Sequence, residues 1–301
     1  MKRRSFLAGI GAMGTWSLAS PTIANVTLGS ATLTTVSDGN LVLPVDFLFD
    51  PATAAEVSGI LADYGVAGEQ LKPECNLALY RDGTNTVLFD AGSGADFMPS
   101  AGKLVESLEA IDLAPEDITH VVFTHAHPDH IWGVLDDFDD PLFYEATYLM
   151  GRAEWDYWWN PATVDEIGDA RAAFAVGAKR RMEAIEDVTE FFDADDEVLP
   201  GIAAVASHGH TPGHMSFEVR QGSEAALIVG DAIGNHHVAF ERPELPSGSD
   251  QDADTAIKSR LQLLDRAAQE QMRIVGFHLL DGGIGHAEAN GDNYRFIPEA
   301  S

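Results

Sequence analysis

The chain has 301 residues, of which 48 are Asp or Glu and 18 are Lys or Arg, so its formal charge is −30 at pH 7. A field of that sign repels phosphate backbones and anionic lipid surfaces, which argues against a nucleic-acid substrate. No run of about 18 apolar residues occurs without a charge, so no membrane span is predicted. The single cysteine, Cys75, excludes a disulfide within the chain. The length suits one large domain or two halves that share a core.

Residues 1–24 predict a signal peptide. Three basic residues at positions 2–4 precede an apolar stretch rich in Ala and Gly, and small residues offer a cleavage point after Ala24 or after Ala19. The run Arg3-Arg4-Ser5-Phe6-Leu7 resembles a twin-arginine export signal, whose passengers cross the membrane already folded. We therefore expect a periplasmic or secreted protein, with an ordinary secretory signal as the alternative. Loss of the three basic residues takes the charge to 15 − 48 = −33.

The remaining chain alternates predicted strands and helices. Hydrophobic patterning predicts strands over 26–36, 76–80, 86–89, 118–123, 147–150, 202–207, 215–219, 225–229 and 273–277. Helices are predicted over 54–61, 103–111, 164–188 and 254–270. Thr53 is placed to cap the first helix, Asp82-Gly83 predicts a hairpin, and 41–49 is left open as a loop or edge strand. Strands in two sets with helices between them predict two sheets packed face to face and covered outside by helices.

Three histidines and one aspartate lie within six residues, directly after a predicted strand. In an extended segment, residues two apart point to the same side, so His125 and His127 can hold one ion. The turn that Pro128 favours would direct Asp129 and His130 toward a second position nearby. Nitrogen and oxygen donors without sulfur suit zinc, manganese, iron or cobalt. A histidine-rich surface turn is disfavoured, because burying these imidazoles without a ligand would leave unpaired polar groups.

Further donors occur where later strands give way to loops, namely His210, Asp231 and His278. Strand ends are the usual location for chemistry on a rigid scaffold. His278 directly follows an apolar strand, so we expect it at the same sheet edge as His210 and Asp231. His286 is the alternative, but it follows the glycine-containing stretch 281–283, which would hold a ligand loosely.

The combined pattern resembles the metallo-β-lactamase superfamily in the number, order and spacing of its donors, over nearly all of residues 25–301. The resemblance implies an α+β fold, a four-layer αβ/βα sandwich with a dinuclear site between the sheets. It also implies two divalent metal ions, with zinc preferred and manganese, iron or cobalt also compatible. Carried over by position, one ion would be held by His125, His127 and His210, and the other by Asp129, His130 and His278, with Asp231 bridging.

Within the superfamily, the chain is most similar to the branch of N-acyl-homoserine lactonases and methyl-parathion-hydrolase-like enzymes. The features that carry this similarity are Gly230-Asp231-Ala232, Pro243 followed by a helix with Arg260, and His278-Leu279-Leu280 before Gly283-Ile284-Gly285-His286. Members of that branch usually have an aromatic residue and a proline where this chain has Asp281-Gly282, so the pocket rim is expected to differ.

The resemblance implies a hydrolase that cleaves a lactone, ester or phosphotriester with a metal-bridging hydroxide, because two cations lower the pKa of a shared water. One metal would polarise the oxygen that gains charge, and Asp129 could relay a proton to the leaving group while also binding metal. The expected partner is a small-molecule substrate, without nucleic acid or stable membrane association, and a homodimer is left open.

Several residues outside the ligand set carry weaker expectations. Asp90 resembles the superfamily's supporting carboxylate, which holds the metal loop without touching metal. His214 is expected in a loop or beside the ligands, and His236 or His237 is placed either at the pocket or in a structural role. Four tryptophans could line an apolar pocket, although core packing is favoured for at least half of them: Trp132, Trp155, Trp158 and Trp159.

Other functions remain open at this point. β-Lactam cleavage is the alternative within hydrolysis, since the same site can perform it, whereas glutathione thioesters are disfavoured because no basic cluster marks an anion pocket. Iron-dependent oxygen chemistry is the alternative of another class. Diiron flavoprotein relatives usually carry Glu where this chain has His127, but mononuclear dioxygenases keep the histidine pattern. A metal-binding protein without activity is disfavoured because no ligand position is missing.

Overall fold

The computed structural model describes residues 24–299, so the predicted signal peptide lies outside the described residues except for Ala24. Ala24 is buried, and its carbonyl oxygen accepts a hydrogen bond from the Thr35 N–H at 2.9 Å. Cleavage after Ala24 would therefore remove a residue that packs with the domain, whereas cleavage after Ala19 would not. Within residues 24–299, no helix has both the length and the hydropathy needed to cross a membrane.

Strands and helices alternate along the chain. The strands are β1 (Asn25–Leu28), β2 (Ala31–Asn40), β3 (Leu43–Pro44), β4 (Gln70–Leu71), β5 (Glu74–Arg81), β6 (Thr86–Phe89), β7 (His120–Val122), β8 (Thr147–Gly151), β9 (Thr189–Phe192), β10 (Glu197–Leu199), β11 (Ile202–Ala206), β12 (Met215–Gln221), β13 (Glu224–Gly230), β14 (Arg273–Gly276), β15 (Ile284–Asn290) and β16 (Asn293–Pro298). The α-helices are α1 (Val45–Leu48), α2 (Ala54–Asp63), α3 (Leu104–Glu109), α4 (Pro128–Ile131), α5 (Arg152–Trp159), α6 (Thr163–Glu166), α7 (Ala172–Ile185), α8 (Val238–Glu241) and α9 (Ala253–Glu270).

The larger strands form two seven-stranded sheets. The first has the order β1-β2-β5-β6-β7-β8-β9 and the second has the order β10-β11-β12-β13-β14-β15-β16, while β3 and β4 pair separately. Strands β6, β7, β8 and β9 are parallel to one another, β13 and β14 are parallel to each other, and the other pairs are antiparallel. Helices provide the crossovers that parallel pairs require.

The sheets pack against each other through one apolar layer and against helices through two more. Alternation along β5 shows the arrangement: Leu77 and Leu79 belong to the layer under α3, α5 and α7, whereas Tyr80 belongs to the layer between the sheets. In that central layer, the ring of Phe89 in the first sheet lies 5.3 Å from the ring of Phe217 in the second. Helices α8 and α9 cover the outer face of the second sheet. The predicted α+β, four-layer sandwich is confirmed.

The strand ends place the candidate donors together. The parallel strands β6, β7 and β8 finish at one edge of the first sheet, and the loop after β7 carries the histidine cluster. In the second sheet, Asp231 directly follows β13 and His278 lies two residues after β14. Because β13 and β14 are parallel neighbours, these two loops also meet at one edge.

Two predicted elements differ from the structure because turns that contain glycine intervene. The predicted strand 26–36 is a hairpin of β1 and β2, with Gly29 at φ 58° in the turn. The predicted helix 164–188 is broken between α6 and α7, where Gly168 adopts φ 90°, a conformation that helices exclude. The open stretch 41–49 forms the short β3 and α1. Thr53 occupies the N-cap position of α2 but makes no side-chain cap, because its hydroxyl donates to the Asp50 carbonyl.

Candidate metal centre

Three histidines from two loops converge in a buried group. His125 Nε2 lies 3.0 Å from His127 Nδ1, which lies 2.9 Å from His210 Nε2. Nitrogens bound at about 2.0–2.1 Å to one tetrahedral ion would be about 3.3 Å apart, close to these spacings. Burial and the neighbouring imidazoles hold the pKa values of His125 and His127 well below the usual range. Both rings are therefore neutral at pH 7, which is the form that binds metal.

A second group, beside the first, combines two histidines with two carboxylates. Asp129 Oδ2 lies 3.2 Å from His278 Nε2, and Asp231 Oδ1 lies 3.3 Å from His130 Nε2. Asp231 Oδ2 is 3.3 Å from both His278 Nε2 and His210 Nε2, so this one carboxylate spans the two groups. That position is the one expected for a bridging ligand.

The charge in the second group calls for a cation. Burial alone would lower the pKa of His130, but Asp231, Asp129 and Asp90 outweigh it and raise that pKa to about 10. Burial would also lower the pKa of His278, but the negative charge of Asp231 outweighs it. The pKa of His278 is therefore raised well above its usual range. These buried carboxylates thus require positive charge, which protons on histidine or bound metal ions can supply.

The donor atoms fit two metal ions. Buried side-chain polar atoms are nearly always hydrogen-bonded. Within residues 24–299, no hydrogen bond of good geometry is made by His127 Nε2, His130 Nε2, Asp129 Oδ2 or Asp231 Oδ1, although the last three lie within 3.5 Å of one another through His130 Nε2. The last three face each other in the second group and would be satisfied by a shared cation. The two groups, His125/His127/His210 and Asp129/His130/Asp231/His278, each gather donor atoms within 4.8 Å of one another. The chain therefore has two adjoining sites suited to divalent metal ions.

Asp90 supports the second group in the way that the sequence suggested. Its Oδ2 lies 2.8 Å from His130 Nδ1, and its Oδ1 accepts the Thr124 N–H at 2.8 Å. The Thr124 hydroxyl also donates to Oδ2 at 2.8 Å. With Nδ1–H directed at the carboxylate, the other ring nitrogen of His130 is available to metal. Asp90 adopts φ 67°, an uncommon conformation for a residue other than glycine.

The rings of His210 and His278 are also oriented by contacts at Nδ1. His210 Nδ1 lies 3.0 Å from Asp250 Oδ1, and the second oxygen of Asp250 pairs with Arg260 Nη2 at 2.9 Å. His278 Nδ1 lies 2.8 Å from the carbonyl oxygen of Glu74. His214 is a loop residue beside the ligands, as the sequence predicted, and its Nε2 accepts the backbone N–H of the bridging aspartate at 3.0 Å. Such contacts fix the tautomer of each ligand.

A cavity of about 710 Å³ opens onto both groups. Its floor includes His127, Asp129, His210, Asp231 and His278. The walls are mostly apolar and come from the segments 41–48 and 66–73 together with Phe97, Met98 and Phe174. Arg171, Lys72, Asn235, His236, His237 and Ser249 add the polar part of the lining. Volume and composition are those of a small-molecule site.

The structure also places the residues outside the ligand set whose positions the sequence left open. Trp155 and Trp158 are buried in the helix-covered layer, Trp132 and Trp159 pack against the same layer, and none of the four is in the cavity wall. Both histidines left open, His236 and His237, do line the cavity. His286 is not on a flexible loop: it lies in β15, opposite Arg273 and Ile297, and belongs to neither metal group.

Sequence reasoning missed two parts of the site. Asp250 lies 40 residues from His210 in a stretch without periodicity, so only tertiary contact reveals the pair. The cavity walls come from 41–48 and 66–73. The sequence shows that these segments contain apolar residues, but it does not show that they face a cavity. An apolar stretch that fits no helix or strand pattern is the one signal that could have indicated such a wall.

Comparison with known proteins agrees with this geometry. The family model described as the metallo-β-lactamase superfamily matches residues 73–278. N-acyl homoserine lactonase AttM of Azorhizobium caulinodans is 30% identical over 125 residues, which cover 42% of this chain and 44% of AttM. The match thus spans less than half of that relative's length.

Two solved structures are similar over almost the whole chain. AidC, described as a dizinc quorum-quenching lactonase, has a TM-score of 0.87 at 25% identity and covers 93% of this chain and 98% of its own. The hydrolase AbOPH has a TM-score of 0.86 at 26% identity, with the same coverage.

The chain belongs to the metallo-β-lactamase superfamily. Within it, the chain is a metal-dependent hydrolase similar to the lactonase branch that the sequence predicted.

Proposed function

We propose that this chain is a zinc-dependent hydrolase of lactones and related esters that carry an apolar group. The observation that carries the proposal is the apolar cavity of about 710 Å³ whose floor holds donors of both metal groups. A substrate in that cavity would place its carbonyl against the metal centre and its apolar part against the walls. The similarity to AidC and AttM supports a lactone as the first choice.

The nitrogen-rich donor set supports zinc as the metal. Imidazole and carboxylate ligands without sulfur suit zinc, and the open side toward the cavity is typical of a catalytic site. Two such ions, held by the two groups, would lower the pKa of water and polarise the scissile carbonyl. The first group would contribute His125, His127 and His210, while Asp231 would be shared with the second.

Hydrolysis of a lactone needs a proton to be moved, and we assign this role to Asp129. The water oxygen forms a bond to the carbonyl carbon, the ring C–O bond breaks, and the ring oxygen leaves as an alkoxide that requires a proton. Asp129 lines the same cavity as the donors of both metal groups. The carboxylate can take the proton released by water and return it to the leaving oxygen, so that no proton is gained or lost.

Two further histidines present neutral rings to the substrate. Burial lowers the pKa of His236 to about 4, and burial together with His236 lowers the pKa of His237 to about 3. His237 Nδ1 accepts the Val238 N–H at 2.8 Å, so the ring proton is on Nε2. A neutral N–H in an apolar cavity is suited to a substrate carbonyl, since it orients the oxygen without adding charge.

The test is a matched substrate screen with metal-loaded protein. We expect hydrolysis of lactones and aryl esters to exceed hydrolysis of phosphotriesters and β-lactams, and KM for N-acyl lactones to fall as the acyl chain lengthens. Chelation should abolish the activity and zinc should restore it. The proposal fails if β-lactams are the better substrates, or if iron-loaded protein consumes oxygen while zinc-loaded protein hydrolyses none of the four classes.

A further inference from the structure

Glu154, in the first turn of α5, is a buried carboxylate whose two oxygens each accept two hydrogen bonds. Oε1 accepts the Ala126 N–H at 2.9 Å and the Trp158 Nε1–H at 2.6 Å. Oε2 accepts the Thr211 hydroxyl at 2.7 Å and the Gly213 N–H at 3.0 Å. The side chain is 1% exposed. All the acceptor sites of an ionised carboxylate are therefore used by protein donors.

The donors come from the two loops that supply the first metal group. Ala126 lies between His125 and His127, and Thr211 follows His210 directly. One carboxylate thus joins the loop after β7 to the loop after β11, across 28 residues on one side and 57 on the other. The distance between these two loops therefore sets the distance of the His210 ring from the rings of His125 and His127.

The second metal group does not depend on Glu154 in this way. His130 is held by Asp90, and His278 is held by the carbonyl oxygen of Glu74. Of the described contacts of Glu154, none reaches a ligand of the second group or the residue next to one.

The close packing of Gly213 against α5 is a second observation that links the loop after β11 to this helix. A Cβ atom at this position would lie 2.1 Å from the Glu154 backbone nitrogen and 2.5 Å from its Cα. No side chain can therefore occupy position 213 unless the loop moves away from the helix. The close approach brings the Gly213 N–H within reach of the carboxylate.

We propose that Glu154 is a positioning residue that sets the spacing of His125, His127 and His210 and thereby the metal affinity of the first group. This inference rests on the two-metal site of the proposed function. A carboxylate is required because four donors converge on it, whereas the amide of glutamine would direct N–H groups at two of them. Displaced imidazoles bind metal less tightly, and changes behind metal ligands typically cost 10–100-fold in affinity.

The test is Glu154→Gln, a change that preserves volume. The variant is loaded with zinc, and anomalous scattering at the zinc edge gives the occupancy of each metal position in crystals soaked at graded zinc concentrations. We expect occupancy of the first group to need about 10–100-fold more zinc than in the wild type, with the second group filled as before. Gly213→Ala should also weaken zinc binding in the first group, since it separates the same loop from α5.

Asp38→Asn is the matched control. Asp38 is also a fully buried carboxylate, and it accepts three backbone N–H groups from Ser93, Gly102 and Leu104, none of which is next to a metal donor. This variant should lower the melting temperature and keep the zinc affinity of both groups. The proposal is overturned if Glu154→Gln binds zinc in the first group as tightly as the wild type, or if both groups weaken together in proportion to lost stability. Lactone hydrolysis by the wild type is measured in a separate assay. Failure of the proposed function can therefore be distinguished from failure of the role assigned to Glu154.

Discussion

Asp250 offers the most quantitative prediction, because it joins a metal-binding imidazole to a buried guanidinium. One oxygen lies 3.0 Å from His210 Nδ1 and the other pairs with Arg260 Nη2 at 2.9 Å. The Asp250 and Arg260 side chains are only 2% and 4% exposed. Asp250→Asn removes the negative charge while keeping the shape of the side chain.

The structure sets the size of the expected loss. Removing one partner of a buried ion pair typically costs ~3–5 kcal/mol, because the other charge is left uncompensated. Arg260 keeps three carbonyl acceptors, at Pro243 (2.9 Å), Leu245 (3.0 Å) and Ala232 (3.3 Å). These lessen the penalty, so we expect about 2 kcal/mol of lost stability. Zinc affinity should fall about tenfold, the low end of the usual range, because the asparagine oxygen still accepts from His210.

Urea unfolding of the chelated protein and zinc competition against a chromophoric chelator would measure the two effects separately. Glu218→Gln is the control, since Glu218 pairs with Arg220 and Arg266, whose side chains are 47% and 31% exposed. It should change stability by less than about 1 kcal/mol and zinc affinity not at all. In Asp250→Asn combined with Arg260→Met, stability should partly recover while zinc affinity stays low. Wild-type zinc affinity in Asp250→Asn would refute the role assigned to this carboxylate.

Three other predictions test different parts of the molecule. His278→Ala should empty the second metal position, whereas His286→Ala in strand β15 should leave metal content unchanged; elemental analysis showing the reverse would exchange their roles. His237 has a folded pKa of about 3 against roughly 6.5 in the unfolded chain. The unfolded state therefore binds more protons between these values, so stability should rise with pH up to about 6.5 and level off above it. His237→Gln should flatten that rise in chelated protein, and an unchanged slope would assign it to other groups. We also propose that Arg3 and Arg4 direct twin-arginine export to the periplasm; changing both to Lys should leave the precursor in the cytoplasm, and normal periplasmic recovery would indicate the ordinary secretory route.

The sequence was sufficient for the parts of the molecule that follow from local pattern. Apolar strands followed by donor residues predicted where His125, His210, Asp231 and His278 would emerge, and the structure brings these residues together at the sheet edges. Alternating strands and helices likewise predicted the layered sandwich. These features are readable because each depends on residues close together in the chain.

The parts that escaped prediction depend on contacts between distant segments. Glu154 contacts loop residues that lie 28 and 57 positions away in the sequence, and Asp250 contacts His210, which lies 40 positions away. No local pattern therefore marks either carboxylate. The cavity wall at 41–48 has apolar residues without helical or strand periodicity, and its direction is set by packing against the rest of the domain. The break at Gly168 escaped because the apolar spacing continues across a residue whose backbone leaves the helical region.

Stepwise zinc loading of the chelated enzyme, with lactone hydrolysis followed at each step, tests the central claim most directly. The two adjoining donor groups and the shared Asp231 predict that about two ions bind per chain and that full activity requires the second. Full lactone hydrolysis after one equivalent of zinc, or none after two, would contradict the two-metal account.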